Sequence, residues 1–178
     1  MLEEATENAD RKIAELQDAK ARIERAKRFY ASKAAASESR TGIYVRTLPE
    51  RVILLSDTLH TPTVENLTDY HRHFFAQAGE KNLGKFVFED VAGVYETRSG
   101  SRMFAVCAKY VDTEGGLTVL PGGEWLCAEC TDGTFPSAAA TLRAEAERRN
   151  ITPPYTVRMV VLTGILQWKY ELQLPIPQ

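Results

Sequence analysis

One pattern is written twice in this chain, and it limits the fold more than any other feature. Strand-forming residues, a helix and two further strands run over 42–112 and again over 113–178. In the first copy Ile43–Leu48 reads as a strand that Pro49-Glu50 interrupts and Arg51–Leu55 resumes, because proline has no N–H to give a ladder. Thr63 to Asn66 opens a helix with a weak capping signal, and Leu67, Tyr70, Phe74 and Phe75 share one face of it. Val91–Glu96 and Arg102–Tyr110 follow as strands around the Ser99-Gly100-Ser101 turn. In the second copy Leu117–Leu120 leads through Pro121-Gly122-Gly123 into a strand, Glu124–Cys130. A helix runs from Phe135 to about Arg149 with Asn150 as its stop, and Thr156–Thr163 and Gln167–Leu174 close as a hairpin around Gly164. The predicted fold class is α+β: a tandem βαββ repeat forming a curved antiparallel sheet, with both helices on one face and a groove on the other.

Ahead of the repeats, Ala9, Ile13, Leu16, Ile23 and Tyr30 recur at a period near that of one helix face, with Ala19 and Ala26 beside them. The opposite face carries Arg11, Glu15, Asp18, Arg22, Arg25 and Arg28. An apolar stripe of this kind needs a partner. Lys20 and Lys27 interrupt a long zipper, so the spacing predicts a short antiparallel helix pair between two subunits. The expected organisation is a dimerisation helix over 1–32, a small polar linker over 33–41, and a two-repeat domain over 42–178.

Composition removes several classes of function. A net charge of −2 and a pI near 6.0 offer no bulk attraction to nucleic acid. The sequence has no apolar run long enough to span a membrane and no signal-peptide core in its first thirty residues, so a cytoplasmic location is expected. Three cysteines make a disulfide framework unexpected. Cys127-Ala-Glu-Cys130 has a metal-site spelling but no second pair, and three residues along a strand places its thiols on opposite faces. His71 and His73 cannot face one metal from a regular helix. No metal, cofactor or complete catalytic constellation is expected.

The order of the helical seam, the linker, Leu48-Pro49-Glu50, Gly93-Val94-Tyr95, Pro121-Gly122-Gly123 and the closing Trp168-x-Tyr170-Glu171-x-Gln173-x-Pro175-Ile176 resembles the effector-binding domain of MerR-family transcription regulators, the GyrI-like (SHS2-duplication) domain. The resemblance covers about residues 8–178. It implies a homodimer through the N-terminal helix, a drug or metabolite held between the repeats, and contact with DNA only through a winged helix-turn-helix that precedes the dimer helix. That segment is absent from this sequence, which reads as either a fragment of a regulator or a stand-alone binding protein. Where the family often shows His-x-Gly, this chain has Cys130-Thr131-Asp132-Gly133.

Alternation along the last strand puts Trp168, Tyr170, Leu172 and Leu174 on one side and Lys169, Glu171, Gln173 and Pro175 on the other. The apolar side suits the helices, so Glu171 is expected to face the groove, and the resemblance places a ligand-facing glutamate there too. An unpaired carboxylate among aromatics would draw a lipophilic cation; the bland alternative pairs Glu171 with Lys169 or Arg158. Tyr44, Tyr95, Phe104, Tyr110 and Trp125 are the candidate ligand-contacting aromatics. The expected function is small-molecule sensing. The alternatives are a hydrolase using Glu171 as general base and a protein-binding module of the gyrase-inhibitor type.

Overall fold

The computed structural model describes residues 6–14, 16–17, 20, 23–24, 42–82, 84–112, 116–161 and 169–177. The chain divides into two units, 1–41 and 42–178. In the first, residues 6–14 form a helix (α1), and residues 16–17, 20 and 23–24 are also helical. Ile13, Leu16 and Ile23 of the apolar stripe are 52%, 61% and 57% exposed. Tyr30 and the expected linker lie outside the described residues.

The second unit runs β1 (Ile43–Leu48), β2 (Arg51–Leu55), α2 (Val64–Thr68), α3 (Tyr70–Ala78), β3 (Val87–Thr97), β4 (Gly100–Lys109), β5 (Leu117–Leu120), β6 (Gly123–Thr131), α4 (Phe135–Arg148), β7 (Thr156–Val161) and β8 (Lys169–Pro175). These strands form one antiparallel eight-stranded sheet in the order β1-β6-β8-β7-β3-β4-β2-β5. The turn expected around Gly164, together with Trp168, lies outside the described residues, but β7 and β8 do pair as the hairpin requires.

Local signals act as the sequence suggests. The Thr63 hydroxyl accepts from the Asn66 amide at 3.1 Å and starts α2. The expected single helix breaks at Asp69, and Tyr70 and Phe74 of α3 are buried. Asn150, at φ 55°, takes the left-handed conformation that ends α4. The Tyr70 hydroxyl donates to the Phe104 carbonyl and anchors α3 to the sheet.

One arrangement differs from two self-contained units side by side. β1 pairs with β6 of the second half, and β5 pairs with β2 of the first. The two ladders share a single register: Leu48 stands opposite Gly123, and Arg51 stands opposite Leu120. Residues 43–54 and 117–128 thus form one long antiparallel pair, bent where Pro49 and Pro121 supply no N–H. At that bend Gly122 lies so close that a Cβ there would stand 3.0 Å from the Glu50 amide nitrogen. The first and last strands of the order belong to this bent pair, so the sheet curls toward itself.

The two faces of the sheet carry separate cores. Met103, Ala105, Leu126, Val160, Tyr170, Leu172 and Leu174 pack under Tyr70 and Phe74 of α3 and Ala139 and Leu142 of α4. Ile53, Phe104, Val106, Trp125, Cys127, Val157 and Met159 gather on the opposite, helix-free face, which no described helix of this unit covers. Helices α3 and α4 therefore cover one face, and the curl of the sheet buries the centre of the other.

Candidate functional site

On the helix-free face, cross-strand pairing lines up Phe104, Gly93, Met159, Glu171 and Glu129 in one row. The next row holds Arg102, Tyr95, Val157, Gln173, Cys127 and Tyr44. Directly paired residues share a face, so the side chains of both rows meet in the hollow of the curl.

Glu171 is 3% exposed and sits on that face. The Tyr44 hydroxyl donates to Oε2 at 2.8 Å, Arg46 Nη1 donates to Oε1 and Oε2 at 3.1 and 3.0 Å, and Gln173 Nε2 donates to Oε1 at 2.6 Å. The premise of an unpaired carboxylate is thereby corrected: Glu171 is ion-paired. Its partner is Arg46, whereas Arg158 lies on the helix side of the sheet, its guanidinium 4.3 Å from the Phe135 ring centre. The pairing keeps the charge tolerable where burial would otherwise make it costly.

Arg51, at the bend, closes the network from the far side. Its Nη1 donates to Gln173 Oε1 at 2.8 Å and approaches Met159 Sδ at 3.9 Å. Guanidinium only donates and carboxylate only accepts, so the Gln173 amide has one workable orientation: oxygen to Arg51, nitrogen to Glu171. The Arg51 guanidinium carbon stands 5.0 Å from the Trp125 ring centre. Its Nε and Nη2 are buried with no hydrogen-bond partner among the described residues. These two nitrogens form the side-on edge with which arginine grips a carboxylate through parallel bonds. Each buried unpaired donor costs about 1–3 kcal/mol, and stacking on an aromatic ring returns ~0.5–2 kcal/mol. Burial lowers the Arg51 pKa, with the Glu171 charge opposing the shift.

The aromatic residues divide into floor and rim. Phe104 and Trp125 are fully covered, so they form floor and show no free surface. The Phe104 ring lies over Gly93, where any Cβ would run into it. Tyr44, Tyr95 and Tyr155 are half-buried around this core. Tyr95 and Tyr155 stack with ring centres 4.6 Å apart, and Tyr155 approaches Trp125 at 6.3 Å. Burial first, then the Glu171 charge and hydrogen bond, raises the Tyr44 pKa, and burial raises those of Tyr95 and Tyr155, so these phenols remain donors at neutral pH. Tyr110 follows the end of β4, is 49% exposed and joins neither core.

Arg46, Arg51, Gln173 and Tyr155 were not singled out in the sequence. Two of them carried a usable signal. Arg46 stands two residues from Tyr44 on the same strand, and Gln173 two from Glu171, so each shares the face assigned to its neighbour.

Among the described residues, other polar groups form no competing centre. Cys127 and Cys130 belong to opposite cores, and no group of metal-ligating residues occurs among the described residues. The Ser56 hydroxyl lies 2.8 Å from His73 Nε2, but Ser56 is fully buried and its oxygen also accepts from the Thr58 and Leu59 amides. Asp57 approaches the same Nε2 at 3.7 Å, so the group clamps a loop and does not build a nucleophile relay. A separate open cavity of about 660 Å³ lies at the end of the sheet, between the β3–β4 turn, Arg143 and Glu147 of α4, and Ile151–Thr156.

No protein-family profile matches the chain, and no curated protein matches it. Among solved structures it is similar to EcmrR in an EcmrR–DNA complex, with a TM-score of 0.54 and 10% identity over 85% of this chain. It covers 64% of that chain, just under two thirds of its length. It is also similar to a hydrolase from Listeria innocua, with a TM-score of 0.50 and 10% identity over 84% of this chain and 98% of the other. At this identity the likeness is one of fold.

Proposed function

We propose that residues 42–178 are a small-molecule-binding domain of the kind carried by MerR-family regulators, a duplicated βαββ unit whose helix-free groove is the ligand site. The observation that carries this reading is Glu171: 3% exposed, on the face away from the helices, and held by Tyr44 and Arg46 of β1 and by Gln173 of its own strand. Burying an ion pair is costly and gives packing little in return, which favours a task beyond packing for this face. The likeness of fold to EcmrR agrees with a regulator. The exposed Ile13, Leu16 and Ile23 suit a helix that pairs with a second copy, so the chain acts as a homodimer; the regulator reading adds a cytoplasmic location and contact with DNA through a separate domain. Ligand in the groove shifts the sheet's curl, and the dimer helix carries that shift onward.

The test is binding of a neutral planar dye, N-phenyl-1-naphthylamine, to the full chain. Tyr95→Ala and Tyr155→Ala should each weaken binding about tenfold, the equivalent of ~1.4 kcal/mol, with unchanged circular dichroism. Equal affinity in parent and both variants would remove the groove as the site.

A hydrolase is the second reading, favoured by the 2.8 Å contact between Tyr44 and Glu171 and by the likeness to the Listeria hydrolase. Glu171 would then take a proton from water while Tyr44 steadies the developing oxyanion. Turnover of small esters or epoxides that disappears in Glu171→Gln supports it; turnover that persists in that variant excludes Glu171 as the base.

A further inference from the structure

The charges facing the groove favour a ligand opposite in sign to the one that an isolated glutamate suggests. Arg46 pairs directly with the buried carboxylate of Glu171, and Arg51 reaches the same network through the Gln173 amide. Glu129 stands beside Glu171 in the sheet but is exposed to solvent, and Arg102, opposite Tyr95, adds a further positive charge on the same face. Glu171 already receives hydrogen bonds from three side chains, so a cation can use it only by displacing Arg46. Arg51 is in the reverse position. Gln173 and Met159 occupy Nη1, and the whole Nε–Nη2 edge has no acceptor among the described residues.

We propose that the groove takes a planar aromatic acid, its carboxylate or sulfonate gripped by the Nε–Nη2 edge of Arg51 and its rings laid against the stacked pair of Tyr95 and Tyr155. This rests on the groove being the ligand site, and it adds the chemical class of what binds there. The guanidinium carbon stands 5.0 Å from the Trp125 ring centre, and the acid reaches the buried edge as the guanidinium turns off that ring; the cation–π attraction is the weaker interaction, and two charge-assisted hydrogen bonds replace it. Arg46 acts as the selectivity residue: by filling the carboxylate it withholds Glu171 from cations.

Three ligands with one ring system test this by titration calorimetry on the full chain: 2-naphthoate, neutral 2-naphthamide and 2-naphthylmethylammonium. Naphthoate should bind at least about tenfold tighter than the ammonium compound, a difference of ~1.4 kcal/mol. Arg51→Met should erase that preference, weakening naphthoate far more than the amide, whose carbonyl gives the edge only a neutral acceptor. Arg51→Lys, which keeps the charge but lacks the paired edge, should lose most of it as well. Arg46→Gln should tighten the ammonium compound. If the ammonium compound binds as tightly as naphthoate or tighter, or if both Arg51 variants retain the preference, the proposal is wrong while the groove remains a ligand site. If the amide and naphthoate both fail to bind at millimolar concentration, both readings fall.

Discussion

Arg51 on β2 donates to Gln173 on β8 at 2.8 Å, across 122 residues of sequence and across a sheet in which β4, β3 and β7 lie between those two strands. A flat sheet would hold these side chains far apart, at nearly 5 Å per strand. The contact is possible because the bent pair of residues 43–54 and 117–128 carries β2 around the curl. The same contact fixes the Gln173 amide, and that amide holds Glu171.

The proposed role of Arg51 in gripping a ligand predicts that the side chain adds little to stability. Its removal discards one good hydrogen bond and also two buried donors that have no partner. These terms nearly cancel, so Arg51→Met should change unfolding free energy by less than about 1 kcal/mol. Urea denaturation measures this. A loss of about 3 kcal/mol or more would show that the side chain is structural.

Gly93 gives Phe104 its place. The ring lies where a Cβ at position 93 would be, and both residues are fully enclosed. Gly93→Ala should destabilise the fold by about 1–3 kcal/mol through overpacking. Phe104→Leu should shrink the effect of Gly93→Ala, so the two changes should be non-additive in a double-mutant cycle. Strict additivity would mean that the ring moves away without resistance.

The ion pair of Arg46 and Glu171 should break unequally. The Arg46 side chain is 25% exposed and that of Glu171 is 4% exposed. Released from its partner, Arg46 finds water, whereas Glu171 stays enclosed. Arg46→Met should therefore cost about 1–3 kcal/mol, and Glu171→Gln, which leaves a neutral acceptor for Tyr44, should cost less. Chemical denaturation at pH 7 measures both, and the reverse ranking would contradict the geometry.

At the end of α4, hydrogen bonds first from Arg148 and then from Arg149 lower the Glu145 pKa from 4.5 to about 2. A carboxylate with a depressed folded pKa stabilises the fold above its unfolded pKa and ceases to do so as pH falls through the folded one. The difference in urea midpoint between parent and Glu145→Gln should be constant above about pH 5 and close toward pH 2. A gap that widens on acidification would mean that the arginines hold nothing there.

Much of the domain was legible in its residues. Period-two alternation put Glu171 opposite Tyr170, Leu172 and Leu174, and the structure has those three in the helix-side core and Glu171 away from it. Thr63 and Asn150 marked helix ends that the backbone uses. The prolines at 49 and 121 marked interruptions, but nothing local showed that the interrupted strands pair with each other in one register. Tyr110 illustrates the limit of alternation: parity gave it the face of Phe104, yet it lies beyond the strand and is half exposed.

The sequence by itself determined the order of the elements, the face on which each strand residue stands and the places where helices begin and end. These follow from sterics and hydrogen bonding within a few residues of one another. Tertiary structure decided which partners meet. Arg46 reaches Glu171 from 125 residues away and Arg51 reaches Gln173 from 122, and those meetings depend on cross-strand register and on the bend at two prolines. Alternation assigns a side chain to a face, whereas only the paired and curled sheet gives it a neighbour.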